Sequence, residues 1–294
     1  MNKGIILKGV GGVYQVKTEQ GVISCTLRGR LRLEQERILV GDTVKVSCEG
    51  AEGVVEDVLP RRNELTRPPI ANVDQVLAVF AVTKPEPSLL LLDRILVNAH
   101  FAGMKSVAVF NKSDLDNKKA VELARMYTDL TSSVLITSAK TKEGLESLRG
   151  VFEGLISTLA GPSGAGKSSL LNALEPSLGL EIKEVSARVQ RGRHTTRKVH
   201  LLPLAGGYVA DTPGFSRLTV DHIPAAELQF SFPEMGELAD ECQFRGCLHH
   251  REPGCAIKEA VDAGIILAHR YSHYLTFLKE IQAVPYHLQR GGSN

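Results

Sequence analysis

A glycine-rich run in the middle of the chain, GPSGAGKSS at residues 161–169, limits the possible folds more than any other feature. An apolar stretch, LISTLA, precedes the run, and SSLLNAL follows it with helical spacing. The run matches G-x-x-x-x-G-K-S/T, the pattern of a phosphate loop between a strand and a helix. In such a loop, glycines let backbone N–H groups surround the phosphates and the helix N-terminus adds positive potential. The alternative is a glycine-rich turn that binds nothing.

The phosphate loop predicts a group of nucleotide-binding residues and a metal ion. Lys167 is expected to bridge the terminal phosphates during catalysis, and Ser168 to bind Mg²⁺ through its hydroxyl. Further along, DTPG offers Asp211 for the Mg²⁺ shell through water and the Gly214 N–H for the γ-phosphate, although D-x-x-G alone is usually a turn. The predicted loop residues are Gly161, Pro162, Ser163, Gly164, Ala165, Gly166, Lys167, Ser168 and Ser169.

Two polar runs earlier in the chain predict that the base is guanine. In the NKSD run the Asp114 carboxylate can accept from the ring N–H and the exocyclic amine of guanine, whereas adenine presents the wrong donor and acceptor order. The TSAK run is expected to direct a backbone N–H at the guanine O6. Either run alone could be a solvated loop, but together they predict GTP or GDP with Mg²⁺ as the ligand. The base-reading residues are Asn111, Lys112, Ser113, Asp114, Ser138, Ala139 and Lys140.

The sequence divides into three predicted domains. Residues 1–63 alternate apolar and polar positions in short runs, which predicts a small antiparallel barrel with a helix only around residues 32–38. A linker is expected at RRNELTRPPI, residues 61–70. Residues 64–218 alternate apolar strands with helical stretches and predict a parallel α/β sheet. Residues 219–294 carry a cysteine cluster and helical stretches.

Three of the 5 cysteines lie close together near the C-terminus. Three thiolates and one imidazole form a closed tetrahedral set, which predicts one structural Zn²⁺ rather than buried free thiols. His250 is an alternative imidazole to His249. Cys25 and Cys48 are expected to be small core residues of the barrel. The predicted ligands are Cys242, Cys247, His249 and Cys255.

Charge and hydropathy bear on two possible partners, nucleic acid and membranes. The chain has 35 basic and 33 acidic residues, so its overall charge does not indicate nucleic acid. Residues 183–198 contain six Lys or Arg and one acidic residue, which suits contacts with RNA phosphates, although a solvated face is the alternative. No apolar run approaches the roughly 18 residues that a membrane span needs, so we expect a cytoplasmic protein without a membrane partner.

The order of these motifs is unusual, because NKSD and TSAK precede the phosphate loop, which GRHTT and DTPG then follow. This order resembles that of circularly permuted GTPases. With the preceding barrel and the following cysteine cluster, the chain is similar to the RsgA family of ribosome small-subunit-dependent GTPases. The resemblance implies an N-terminal OB-fold, a permuted GTPase domain and a C-terminal zinc-binding domain. It also implies GTP hydrolysis during late maturation of the 30S subunit, stimulated by the subunit, with rRNA contacts. We also expect a monomeric chain.

The resemblance also implies roles for individual residues. It favours His249 over His250 as the zinc ligand. Thr195 or Thr196 matches the family's switch threonine, which completes the Mg²⁺ shell, and Thr196 is the preferred choice. Phe215 stands where Ras-like enzymes place a glutamine, so His194 becomes the candidate that positions the attacking water; contact with RNA or solvent is its alternative role.

Two other functions remain open from the sequence. The chain could be an RNA-binding scaffold in which guanine nucleotide is mostly structural, or a permuted GTPase that serves the large subunit or another compartment. The response of GTP turnover to purified 30S subunits separates the scaffold from the leading hypothesis.

Overall fold

The computed structural model describes residues 2–33, 37–49, 52–66, 68–181, 199–211 and 218–283. Its strands are β1 (Asn2–Val10), β2 (Val13–Thr18), β3 (Gly21–Leu27), β4 (Thr43–Glu49), β5 (Glu52–Val58), β6 (Glu64–Thr66), β7 (Pro69–Ala71), β8 (Gln75–Ala81), β9 (Lys105–Asn111), β10 (Ser133–Thr137), β11 (Ile156–Ala160), β12 (His200–Leu204) and β13 (Gly207–Asp211). Its helices are α1 (Gly29–Leu33), α2 (Leu89–Phe101), α3 (Asn117–Tyr127), α4 (Leu145–Val151), α5 (Lys167–Leu174), α6 (Pro233–Gly236), α7 (Ala256–Asp262) and α8 (Ala268–Ala283).

The first five strands form a closed barrel in the order β1-β2-β3-β5-β4. Alternate side chains such as Ile6, Val16 and Val44 fill its interior, as the period-2 pattern predicts. The predicted barrel is confirmed, with two differences. β3 and β5 pair in parallel rather than antiparallel, and the helix α1 starts before the predicted residues 32–38.

The predicted linker is folded onto the barrel instead of running free. β6 and β7 pair as a short hairpin within residues 61–71. The Arg61 guanidinium binds both carboxylate oxygens of Asp42, at 2.7 and 2.9 Å, and the Asp42 side chain is fully buried. Because a bidentate Arg–carboxylate pair is geometrically specific, it fixes this segment against the barrel.

The second domain is a six-stranded sheet in the order β10-β9-β8-β11-β13-β12. All pairs are parallel except that of the edge strand β12 with β13. Every residue of β8 is buried, as the continuous apolar run predicts for a strand covered on both faces. Strand β1 of the barrel lies against β12, and its Leu7 joins the core that contains Leu201.

The C-terminal module, described over residues 218–283, consists of α6, α7, α8 and irregular segments around the cysteine cluster. Its core includes Phe232, Met235 and Phe277, and Val97 of α2 belongs to the same core. A buried ion pair between Arg270 of α8 and Asp93 of α2 crosses the junction at 2.7 Å. Among the described residues, none of the helices has both the length and the apolar character of a membrane-crossing segment.

Candidate active site and metal centre

Four parallel strands end at the same edge of the sheet, and the predicted nucleotide residues follow them. β9 ends at Asn111, β10 at Thr137, β11 at Ala160 and β13 at Asp211. In open α/β sheets, ligands bind in the crevice outside the carboxyl ends of the strands. The structure therefore brings the phosphate loop and both base-reading runs to one edge, although they are distant in sequence.

The phosphate loop leads from β11 into the N-terminus of α5, as its pattern predicts. Lys167, Ser168 and Ser169 lie in the first turn of this helix, where backbone N–H groups have no partner within the helix. The Lys167 ammonium donates to the carbonyl oxygens of Gly161 and Pro162, at 2.8 Å each. Burial lowers the pKa of Lys167, because desolvation penalises its charged form. An anionic phosphate beside this ammonium would offset that penalty.

Asn111 joins the first base-reading run to the phosphate loop. Its Nδ2 donates to the carbonyl oxygen of Ala165 at 2.8 Å, and Asn111 is 1% exposed. The close approach requires glycine at position 166, where φ is +95° and an added Cβ would lie 2.2 Å from the Asn111 Nδ2. On its other side, the Asn111 Oδ1 accepts from the Ala139 N–H at 3.4 Å. One amide thus connects all three predicted nucleotide loops.

The two base-reading runs are hydrogen-bonded to each other. The Ser138 hydroxyl donates to Oδ1 of Asp114 at 2.6 Å, and Ser138 is fully buried. Asp114 lies in a short 3₁₀ turn, which Lys112 precedes with a left-handed backbone conformation, φ 65°. Lys140 is exposed. The arrangement leaves Asp114 oriented by a neighbouring loop before any ligand contacts it.

Part of the predicted site lies outside the described residues. His194, Thr195, Thr196 and Gly214 belong to this part, as does the whole of the basic segment 183–198. The backbone of Asp211 is described as the last residue of β13, but its side chain is not. The predictions for these residues remain predictions.

The four predicted metal ligands come together in the C-terminal module. One candidate ligand atom from each of Cys242, Cys247, His249 and Cys255 lies within 4.8 Å of the other three. The Nδ1 of His249 is 3.5 Å from the Cys242 sulfur and 3.3 Å from the Cys255 sulfur. His249 is fully buried, whereas His250 is exposed and lies outside this group.

Gln229, which the sequence did not indicate, orients the imidazole of His249. The Oε1 of Gln229 lies 2.6 Å from the Nε2 of His249, so this nitrogen carries the proton and Nδ1 faces the sulfurs. Gln229 is 9% exposed and precedes His249 by 20 residues. It lies in the run LQFSFPEMG, which has no metal-ligand spacing, so the sequence offered no signal for it.

Hydrogen bonds also fix the backbone around the cluster. The Tyr271 hydroxyl donates to the His249 carbonyl oxygen at 2.6 Å, and the Tyr274 hydroxyl to that of Leu248 at 3.1 Å. Partial burial would raise the pKa of Glu252, but backbone N–H groups of the same loop outweigh it and lower this pKa to about 2. The loop is therefore held in shape by groups that do not belong to the ligand set.

Burial shifts the pKa values of the candidate ligands Cys247 and His249. Burial raises the pKa of the Cys247 thiol to about 12 and lowers the pKa of His249. The lowered pKa of His249 favours a neutral imidazole, as a metal ligand must be. The Cys247 thiol would lose its proton when it binds a metal ion. Three sulfurs and one nitrogen at this separation match the donor set of structural zinc.

Sequence comparisons identify relatives along almost the entire chain. The family model described as RsgA GTPase matches residues 58–221, and the model described as RsgA N-terminal domain matches residues 3–55. A protein named Small ribosomal subunit biogenesis GTPase RsgA from Moorella thermoacetica is 48% identical over 283 residues, which cover 96% of this chain and 98% of that protein. The protein of the same name from Caldanaerobacter subterraneus is 46% identical over 283 residues, with 95% and 96% covered.

Solved structures show the same architecture. The crystal structure of YjeQ from Thermotoga maritima matches with a TM-score of 0.85 and 40% identity, covering 97% of this chain and 99% of that one. YloQ, described as a circularly permuted GTPase, matches with a TM-score of 0.83 and 38% identity, covering 95% and 94%. The predicted fold class, a barrel, a permuted α/β GTPase domain and a C-terminal cysteine-rich module, is confirmed. The chain therefore belongs to the RsgA family of circularly permuted GTPases and is a GTP hydrolase.

Proposed function

We propose that this chain binds the 30S ribosomal subunit in the cytoplasm and hydrolyses GTP to GDP and phosphate during late 30S maturation. The observation that carries the proposal is the similarity to proteins named Small ribosomal subunit biogenesis GTPase RsgA, which extends over 96% of the chain. The convergence of the phosphate loop and both base-reading runs at one sheet edge supports it independently. The proposed modules remain residues 1–63, 64–218 and 219–294, acting as a monomer.

The nucleotide binds with Mg²⁺ across this edge of the sheet. The backbone of residues 161–169 surrounds the phosphates, Lys167 bridges the terminal two, and Ser168 provides a hydroxyl for Mg²⁺. Asp211, the last residue of β13, would contact the Mg²⁺ shell through water, and the N–H of Gly214 would contact the γ-phosphate. At the other end, Asp114 accepts from the ring N–H and the amine of guanine, while the stems of Lys112 and Lys140 pack on the base.

Hydrolysis requires a group that orients water, and the residue after DTPG cannot supply it because Phe215 is apolar. We assign that role to His194, whose imidazole can accept a proton from water near neutral pH. The hydroxyl of Thr196, or of the adjacent Thr195, completes the Mg²⁺ shell. These residues belong to the basic segment 183–198, so contact between this segment and rRNA would couple subunit binding to turnover.

One Zn²⁺ is proposed for the C-terminal module, held by Cys242, Cys247, His249 and Cys255. The donor set fits this ion, because all four groups converge and Gln229 holds the imidazole with Nδ1 toward the sulfurs. A closed set of four protein ligands leaves no open position, so the zinc supplies folding energy rather than chemistry. The barrel and this module then offer two further surfaces for the subunit, in addition to the GTPase domain.

A turnover measurement with purified subunits tests the proposal. Steady-state GTP hydrolysis by the full chain is measured alone, with 30S subunits and with 50S subunits at equal concentration. Strong stimulation by 30S subunits alone is expected. Absence of stimulation would favour the scaffold function, and stimulation by 50S subunits would favour a role on the large subunit. Co-sedimentation with a non-hydrolysable GTP analogue identifies the bound particle in each case.

A further inference from the structure

Glu143 lies in the turn between the TSAK run and α4, and it contacts both base-reading runs. The Ser113 hydroxyl donates to the Glu143 Oε2 at 2.9 Å. The backbone N–H of Ser138 donates to the Glu143 carbonyl oxygen at 3.0 Å. Ser113 and Ser138 are 1% and 0% exposed, so both bonds reach from a surface residue into the buried part of the site.

The backbone on both sides of Glu143 has the left-handed conformation. Lys142 has φ 68° and Gly144 has φ 69°. At position 144 only glycine fits, because an added Cβ would lie 2.1 Å from the carbonyl oxygen of Ile136 in β10. Strained conformations of this kind persist where the surrounding structure requires them, and they are common at binding sites. Here they direct the side chain and the carbonyl of Glu143 to two different loops.

These contacts converge on Asp114. Ser113 precedes Asp114 in the same 3₁₀ turn, so the bond to Glu143 fixes the position of this turn. Ser138, which Glu143 holds through its backbone, donates its hydroxyl to the Asp114 carboxylate at 2.6 Å. Both supports of Asp114 therefore depend on one residue that the sequence motifs do not include.

We propose that Glu143 is a positioning residue for guanine recognition, setting the orientation of the Asp114 carboxylate through Ser113 and Ser138. This inference rests on the proposed role of Asp114 in reading the base. Glu143 itself does not contact the nucleotide. A carboxylate that must accept two hydrogen bonds from one base edge tolerates little rotation, so losing one of its two supports weakens binding and selectivity together.

The test compares the affinities for GDP and IDP, because hypoxanthine lacks only the exocyclic amine that Asp114 is expected to bind. Calorimetric titrations with Mg²⁺ use the full chain and its variants. Glu143→Ala is expected to weaken GDP binding about tenfold and IDP binding less, so that the preference for GDP falls. Glu143→Gln, whose amide oxygen can still accept from Ser113, should restore most of the preference. Glu146→Ala is the matched control, because this side chain on the neighbouring helix is 92% exposed.

An unchanged preference for GDP over IDP in Glu143→Ala would overturn the inference, and so would an equal loss of affinity for both nucleotides. If Glu143→Ala folds poorly, Ser113→Ala removes the same hydrogen bond from its other end, and an unchanged preference in that variant would also overturn it. Asp114→Asn separates this inference from the proposed function. The amide N–H of the new asparagine can donate to the carbonyl at position 2 of xanthine, so xanthosine diphosphate should bind this variant better than GDP does. Continued preference for GDP would refute the base-reading role of Asp114 itself.

Discussion

Arg270→Met is expected to destabilise the junction between the C-terminal module and the GTPase domain. Arg270 is 1% exposed, and its Nη1 lies 2.7 Å from Oδ1 of Asp93, whose side chain is fully buried. Its Nε and Nη2 donate to the Glu234 carboxylate at 2.7 and 3.2 Å, and its guanidinium lies 4.5 Å from the centroid of the Phe232 ring. Methionine keeps much of the apolar volume and removes the charge.

The expected loss of stability at the junction follows from the Asp93 carboxylate, which stays buried when Arg270 is removed. Without Arg270, the buried Asp93 carboxylate keeps the Tyr127 hydroxyl at 2.9 Å and the His273 Nδ1 at 2.5 Å. Removing one partner of a buried ion pair costs about 3–5 kcal/mol, because the other charge remains desolvated. Loss of the contact with the Phe232 ring adds about 1 kcal/mol. We therefore expect the junction to open at least 100-fold more often, since each factor of ten corresponds to about 1.4 kcal/mol.

Hydrogen–deuterium exchange of the α8 amides measures this opening directly, because it reports local free energies in a protein with several modules. Arg94→Met is the matched control at the same junction. Arg94 binds the Glu280 carboxylate at 2.5 and 2.6 Å and lies 4.5 Å from the centroid of the Phe277 ring, but Glu280 is 41% exposed. A smaller cost of about 1–2 kcal/mol is therefore expected, because this control loses a similar ring contact but leaves no buried charge. If exchange in Arg270→Met were no faster than in Arg94→Met, the assigned role of the buried pair would be wrong.

The free energy of unfolding at low pH tests the role of Asp93 independently. Burial alone would raise the pKa of Asp93, but hydrogen bonds from His273, Arg270 and Tyr127 and the Arg270 charge outweigh it and lower this pKa. A carboxyl whose folded pKa is depressed stabilises the fold above its unfolded value and loses that contribution as the pH falls through the folded value. The stability difference between the wild type and Asp93→Asn should thus shrink as the pH falls below about 4, where the Asp93 carboxylate takes up a proton.

Three further substitutions test separate parts of the account. Cys255→Ala should reduce bound zinc, measured by atomic absorption, to well below one ion per chain, whereas Cys48→Ala in the barrel should retain it; full zinc in the first variant would contradict the ligand assignment. His194→Ala should lower 30S-stimulated turnover at least about 100-fold with unchanged GDP affinity, and wild-type turnover would remove this residue from the mechanism. Gly144→Ala should lower the melting temperature more than Gly154→Ala, because both have positive φ but only the first Cβ would meet a carbonyl oxygen, at 2.1 Å; equal effects would show that the close contact is relieved without cost.

Local patterns were sufficient to predict the loops of the active site. The strand before the phosphate loop, the loop itself and the helix after it are contiguous, so glycine spacing and apolar periodicity predict them together. The same holds for the cysteine cluster, in which all four candidate ligands lie between Cys242 and Cys255 and converge in the structure. The sequence also placed Asn111 and Asp114 at a strand end, where the structure has them.

Contacts between distant residues were not predictable, because they leave no local period in the sequence. Asp93 and His273 are 180 residues apart, and Glu143 lies 30 residues from its partner Ser113. The prediction of a linker at residues 61–70 missed the β6–β7 hairpin for the same reason. Its Arg61 finds the buried carboxylate of Asp42, and nothing in the charge pattern alone selects that partner.

Competition between GDP and ADP for a fluorescent guanine nucleotide tests the central claim most directly, namely that the loops at this sheet edge form a guanine-specific site. Sites built to hydrogen-bond a particular group reject analogues lacking it by about 10⁴-fold or more. GDP is therefore expected to displace the probe from the wild-type chain at a concentration at least about 1,000-fold lower than ADP. Displacement by GDP and ADP at similar concentrations would contradict the account.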